Sequence, residues 1–236
     1  MPLYKKSAFG HFFFVYVDFL LYLCSRKSFN NIHVMKKLII IMAAAMLVAC
    51  SADKNKQNSE NMKEQVVLEN IQTRTSIRQF TGEKILQEHV DKLLHAAMSA
   101  PSAINRQPWA FVVVTDQQLL DQMGEAMPNC RCNNGAAVAF VMCGDMTKAI
   151  DGDMQGFWIH DVSAATENLL LAAHAMGLGA VWTGVYPRME RVKMVQDFLS
   201  LPEHIIPLCI VPVGVPAEQP AVKDKYNAEI IHYNKW

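Results

Sequence analysis

The chain has no excess of either charge: 22 Lys and Arg balance 22 Asp and Glu over 236 residues. Without a basic surplus there is no electrostatic footprint for nucleic acid. It has no Gly-x-Gly-x-x-Gly turn and no Walker A loop, which excludes the common dinucleotide and nucleotide cradles. None of the six cysteines forms a Cys-x-x-Cys pair, and no histidine stands at zinc spacing from the Cys130/Cys132 pair, so no metal site is expected. There is no internal repeat and no Ser-His-Asp type constellation.

Three N-terminal segments are set apart by composition. Met35-Lys-Lys precedes an apolar core, Leu38 to Val48, and then Ala49-Cys50. A charged start, a short apolar core and a small residue before the break make a secretory signal too short to span a bilayer as an ordinary helix. Leu47-Val48-Ala49-Cys50 is similar to a bacterial lipobox, which makes Cys50 the expected lipidation site and 35–49 the expected signal peptide. Residues 1–34 hold an aromatic-rich run, Phe12 to Leu23, and read as upstream sequence or an extra hydrophobic segment. Residues 50–63 are polar enough to be a tether behind the lipidated cysteine. The folded domain is expected over 64–236, at the cell envelope, with the cytoplasm as the alternative if no export occurs.

Within that domain the periodicity changes repeatedly between helical and strand-like. Helices are expected over Val66–Thr73, Glu83–Ala100, from Asp116 to Met127, His160–Met176 and Glu190–Leu199. Strands are expected over Pro108–Thr115, Ala136–Cys143, Gly179–Tyr186 and Ile205–Val213. The strands are apolar at every position instead of alternating, which implies a sheet covered by helices on both faces. Cys143 and Cys209 fall inside these runs and read as inert core thiols, while Cys130 and Cys132 fall in a polar loop. Asp161 follows His160 at the expected opening of a helix and reads as cap or interface chemistry.

Three constellations remain. In Arg74-Thr-Ser76-Ile-Arg78, two guanidiniums and a hydroxyl converge while Ile77 turns inward, which suits a phosphate. Pro101-Ser102-Ala-Ile-Asn105-Arg-Gln107-Pro-Trp joins a helix to a strand and offers uncharged donors and acceptors to a planar heterocycle. Gly177-Leu-Gly179-Ala-Val-Trp182-Thr183-Gly184 puts turn glycines at Gly177 and Gly179 and allows close backbone approach at Gly184.

In this order and spacing the three resemble the nitroreductase family, and so does the ending from Pro207 to Trp236. The resemblance covers about Val66 to Trp236. It implies an α+β fold, a three-layer α/β/α sandwich on a central mixed sheet, in an intertwined homodimer with FMN at its interface. Arg74 and Ser76 would hold the phosphate, and Arg78 would lie by the ribityl chain or the N1/O2 edge. Pro101, Ser102, Asn105 and Gln107 would reach the flavin from the partner subunit. Trp182, Thr183 and Gly184 would pass N5 and O4 through backbone groups. Either Lys223 or Lys225 would complete the phosphate site. The flavin N5 carries the chemistry, with NAD(P)H or a membrane quinol as donor and a nitroaromatic or quinone as acceptor. The alternatives are a specialised FMN reaction such as reductive dehalogenation, and a non-catalytic flavin-binding electron carrier. The loop from Pro128 to Gly135 departs from the family pattern.

Overall fold

The computed structural model describes residues 61–236. The signal-like run, Cys50 and most of the tether lie outside the described residues. The whole sheet with its covering helices lies within the unit Gln65–Trp236.

Residues 61–73 are helical (α1). After it come α2 (Gln87–Met98), β1 (Trp109–Val114), α3 (Gln117–Ala126), β2 (Val138–Asp145), α4 (Phe157–Ala175), β3 (Gly179–Ala180), β4 (Thr183–Gly184), α5 (Met189–Leu199) and β5 (Ile205–Gly214). The strands form a five-stranded sheet in the order β1-β2-β5-β3, with β4 also on β5.

Side-chain parity on β2 shows why the sheet is buried on both faces. Val138, Phe140 and Met142 enter one core with Val90 and Leu93 of α2 and Val162, Ala165 and Leu169 of α4. Ala139, Val141 and Cys143 enter a second core with Leu120 and Met123 of α3 and Val192 and Val195 of α5. Successive side chains point to opposite faces of a strand, so an all-apolar strand needs a helical layer on each side. The result is the expected three-layer α+β sandwich.

Two expectations need correction. The sheet was expected to be mixed, but every pairing among the described residues is antiparallel. The connection from β1 to β2 explains one case. Val114, the end of β1, pairs with Ala139 near the start of β2, so the chain leaves and re-enters at the same end of the sheet. Helix α3 carries the chain away and residues 127–137 bring it back, where a plain crossover helix would have given a parallel strand.

The single strand expected over Gly179–Tyr186 is two short ones. Ala180 pairs with Val213 and Thr183 with Ile210, which sets Val181 opposite Pro212 in the same register. Proline has no N–H for the ladder, so pairing lapses there and resumes at Thr183.

Candidate functional site

Helix α4 is the common anchor for two of the three constellations. Beyond the end of α1, residues 74–79 are neither helix nor strand. Arg74 Nε lies 3.5 Å from Glu167 Oε1 of α4, and the Arg74 side chain is largely covered. Beside it, Thr73 Oγ1 is 2.9 Å from His174 Nε2. Burial first, and the Arg74 guanidinium second, hold His174 below the ordinary imidazole range. Ile77 is buried as expected, and its N–H donates to Ala180 O at 3.0 Å. A Cβ on Gly179 would stand 2.7 Å from Ile77 Cγ2. Gly179 is therefore required for close packing and is not a turn glycine, as had been expected. Gly177, at φ +72°, does close α4.

Arg78 has its backbone fixed and its side chain exposed. Its N–H donates to the Glu218 carboxylate, and its carbonyl accepts from Asn134 Nδ2 at 2.9 Å. Ser76 O is 3.5 Å from Arg78 Nη1.

The second constellation is tied to α4 by a single group. Asp161, buried and in the second turn of α4, accepts the Ala103 N–H at 2.8 Å through Oδ1. Because α4 opens at Phe157, Asp161 does not cap its own helix; it caps the short 3-10 turn at Ala103–Asn105. Ser102 Oγ accepts the Gln107 N–H at 2.9 Å, and Gln107 Nε2 donates to Asn105 Oδ1 at 3.2 Å. Ile104, Asn105 and Gln107 all have positive φ, at 44°, 58° and 51°. Such values strain L-residues, β-branched Ile most of all. Concentrated strain of this kind marks a segment whose shape is used.

The third constellation lines an open cavity of about 310 Å³. Trp182, Thr183 and Gly184 border it together with Arg78, Arg131 and Arg191, and among the described residues no carboxylate does. Thr183 Oγ1 is committed to Ile210 O at 2.6 Å, which leaves backbone groups to face the space. A Cβ on Gly184 would meet no protein atom, so close approach from outside is unobstructed. Met127, Met194 and Val195 supply apolar wall.

The structure thus brings Arg78 together with Trp182–Gly184. Arg74, Ser76, Pro101, Ser102, Asn105 and Gln107 do not line this cavity. Lys223 and Lys225 sit in an exposed tail, away from the cavity walls. Arg131 and Arg191 were missed in the sequence. Arg131 is placed by a left-handed φ of 63° inside the Pro128–Gly135 loop, and Arg191 by α5, from which Nη1 reaches Gly184 O at 3.2 Å. Neither sits in a motif that would single it out.

The loop itself is not polar throughout. Cys130 and Cys132 are buried in the second core. Gly135, at φ +81°, is needed there because a Cβ would meet Phe80 O at 2.5 Å.

The fold has counterparts among known proteins. The sequence model of the Nitroreductase family matches residues 71–131 and 129–215. The chain belongs to the nitroreductase family. It is 44% identical over 170 residues to the “Putative NADH dehydrogenase/NAD(P)H nitroreductase” of Methanothermobacter thermautotrophicus, covering 72% of this chain and 87% of that one. It is similar to the crystal structure of the protein of the same name from Parabacteroides distasonis, with 45% identity, a TM-score of 0.67, and 72% and 98% of the two chains covered. It is also similar to the NADPH:FMN oxidoreductase of Vibrio harveyi complexed with NAD+, at 27% identity and a TM-score of 0.65 over 72% of this chain and 78% of that one. Within this α+β sandwich, α4 positions two of the three constellations.

Proposed function

We propose that this nitroreductase-family chain is an FMN-dependent oxidoreductase that takes electrons from NAD(P)H or a membrane quinol and passes them to nitroaromatic, quinone or related acceptors. The observation that carries it is the cavity shared by three arginines and the Trp182–Gly184 backbone, with no carboxylate among its lining residues. A planar group that gains negative charge on reduction fits such a donor set, and FMN is such a group. When bound, FMN supplies the acceptance and release of an electron pair.

The protein's part is to bind, orient and keep water out. Arg74 and Ser76 hold the phosphate, completed by Lys223 or Lys225. Arg78 and Arg131 offset negative charge on the pyrimidine edge. The Trp182–Gly184 backbone offers its groups to N5 and O4 where Gly184 leaves open space. Pro101, Ser102, Asn105 and Gln107 act on a flavin of the partner subunit. This explains why they are shaped by strain yet lie away from the cavity. A homodimer is favoured by the surface as well. Val66, Val67, Leu68 and Ile71 of α1 are exposed, and so are Tyr226, Ile230, Tyr233 and Trp236 of the tail. Apolar surface of that extent needs a partner.

For location, we propose cleavage before Cys50 and lipid attachment there, which would bring the domain within reach of a membrane quinol as donor. Among the described residues no helix is long and apolar enough to cross a membrane. Fractionation of Cys50→Ala against the unchanged protein checks the anchor: the variant should leave the membrane fraction, and a wild-type protein in the soluble cytoplasm would refute it. Stopped-flow mixing of the FMN-loaded protein with NADPH, then with a quinone, tests the activity. Bleaching followed by recovery of the flavin absorption is expected. Bleaching by a quinol but not by NADPH would move the donor to the membrane. A flavin that neither donor reduces would leave an FMN-binding carrier.

A further inference from the structure

The Cys130-Arg131-Cys132 segment gives the proposed flavin site only Arg131, yet Cys130 borders the same cavity as Arg78 and Trp182–Gly184. Arg131, in the left-handed region, folds the segment so that each sulfur lies against the other cysteine's backbone. Cys130 Sγ lies 3.4 Å from Cys132 N and 3.5 Å from Met123 O, and Cys132 Sγ lies 3.8 Å from Cys130 O. The other two buried thiols behave differently: burial pushes Cys143 up to about 12 and raises Cys209 as well. Cys130 is held below the ordinary thiol range, first by the hydrogen bond from Cys132 and with Arg131 adding a smaller pull. Cys132 is raised by the same pairing and then by burial. Two neighbouring thiols at the edge of a cavity, unlike thiols raised by burial alone, suit thiol–disulfide exchange.

We propose that Cys130 and Cys132 are a redox-active dithiol that closes to a disulfide and exchanges an electron pair with the flavin of the cavity that Cys130 borders. This rests on FMN being the group bound there. In the oxidising direction two S–H bonds break and one Sγ–Sγ bond forms. The oxidised flavin takes both electrons and one proton, and the second proton leaves to solvent through the cavity. In the reducing direction the reduced flavin returns the electron pair, the S–S bond breaks and each sulfur regains a proton. Cys130 is the exchanging cysteine because it is the one of the pair that lines the cavity; Cys132, fully buried and away from the lining, is the one that closes the ring.

The test uses the full chain loaded with FMN. The protein is equilibrated in glutathione buffers from fully reduced to fully oxidised, trapped with acid and alkylated with N-ethylmaleimide. The peptide holding both cysteines is then weighed. In the oxidised buffers it should lose the mass of two hydrogens and take no label, while Cys143 and Cys209 stay labelled as thiols. In Cys132→Ala, Cys130 should carry one glutathione; in Cys130→Ala, Cys132 should carry none. Photoreduced, oxygen-free protein in the disulfide form should then recover its flavin absorption with one dithiol formed per flavin, and neither variant should. Two labelled thiols in every buffer would overturn the proposal, and the unchanged chain decides this even if a variant fails to fold. A disulfide that leaves the reduced flavin bleached would overturn the electron exchange. A chain that takes up no FMN at all would instead sink the functional reading on which the proposal stands.

Discussion

The Arg74–Arg78 run and the Pro101–Gln107 loop both hang on α4, but they are held in opposite ways. The first has no residue at positive φ, and its backbone is fixed by several partners: the Ala180 carbonyl and the Asn134 and Glu218 side chains. The second has three non-glycine residues at positive φ and one side-chain hydrogen bond to α4, from the Ala103 N–H to the Asp161 carboxylate. Charge is thus presented from a relaxed backbone and uncharged hydrogen-bonding groups from a strained one. The difference teaches where substitutions should register. In the first segment they should appear in ligand affinity, and in the second mainly in stability.

The largest effect is expected from Arg74→Ala. Removing a charged donor to the phosphate should weaken FMN binding by about 1.5–3 kcal/mol, roughly tenfold or more in Kd. Stability without FMN should barely change, because the Glu167 partner is half exposed. Flavin fluorescence titration reads the first and urea unfolding the second. Arg78→Ala, in the same segment, should lower the flavin reduction potential, which dye-coupled titration reads; an unchanged potential would remove Arg78 from the N1/O2 edge.

Asp161→Ala should reverse the pattern. It leaves the Ala103 N–H without its charged acceptor and frees the strained loop, at a cost of about 1–3 kcal/mol of stability, visible as a lower urea midpoint. Equal loss from Arg74→Ala and Asp161→Ala in the absence of FMN would break the comparison.

A smaller effect of opposite sign is expected at Ile104, where φ is 44°. Ile104→Gly should relieve strain of about 1–2 kcal/mol against a glycine entropy cost of about 0.5–1 kcal/mol. The urea midpoint should therefore rise slightly without any gain in FMN affinity. A fall in stability would show that the loop is not strained.

The smallest effect is a pH dependence near Arg74. The folded-state pKa of His174 is depressed by burial and then by Arg74. Its neutral ring therefore contributes stability that is full above the ordinary imidazole range and is lost as pH falls through the lowered value. Unfolding midpoints should drop on going from neutral to mildly acidic pH, and less so in His174→Gln.

The layered fold was legible in the sequence because β2 and β5 are apolar on both parities, and only a sheet with helices on both sides can bury them. The constellations were legible as residue types at fixed spacing. Other features were not. The antiparallel return through residues 127–137 depends on a register that no local pattern encodes. The break between β3 and β4 is caused by Pro212, some thirty residues away in sequence. Arg131 and Arg191 reach the cavity only through tertiary placement, and Cys130 and Cys132 are buried although the residues around them are polar. Asp161 stood out in the sequence, but its partner, Ala103, is 58 residues away.

The central claim is that this cavity and the Arg74–Arg78 run bind FMN. Equilibrium dialysis of the purified chain against FMN and FAD, followed by identification of the flavin released on denaturation, tests it directly. The predicted result is a yellow protein holding one FMN per chain, with FAD held far more weakly. A colourless protein that takes up neither flavin, or one that selects FAD, would contradict it.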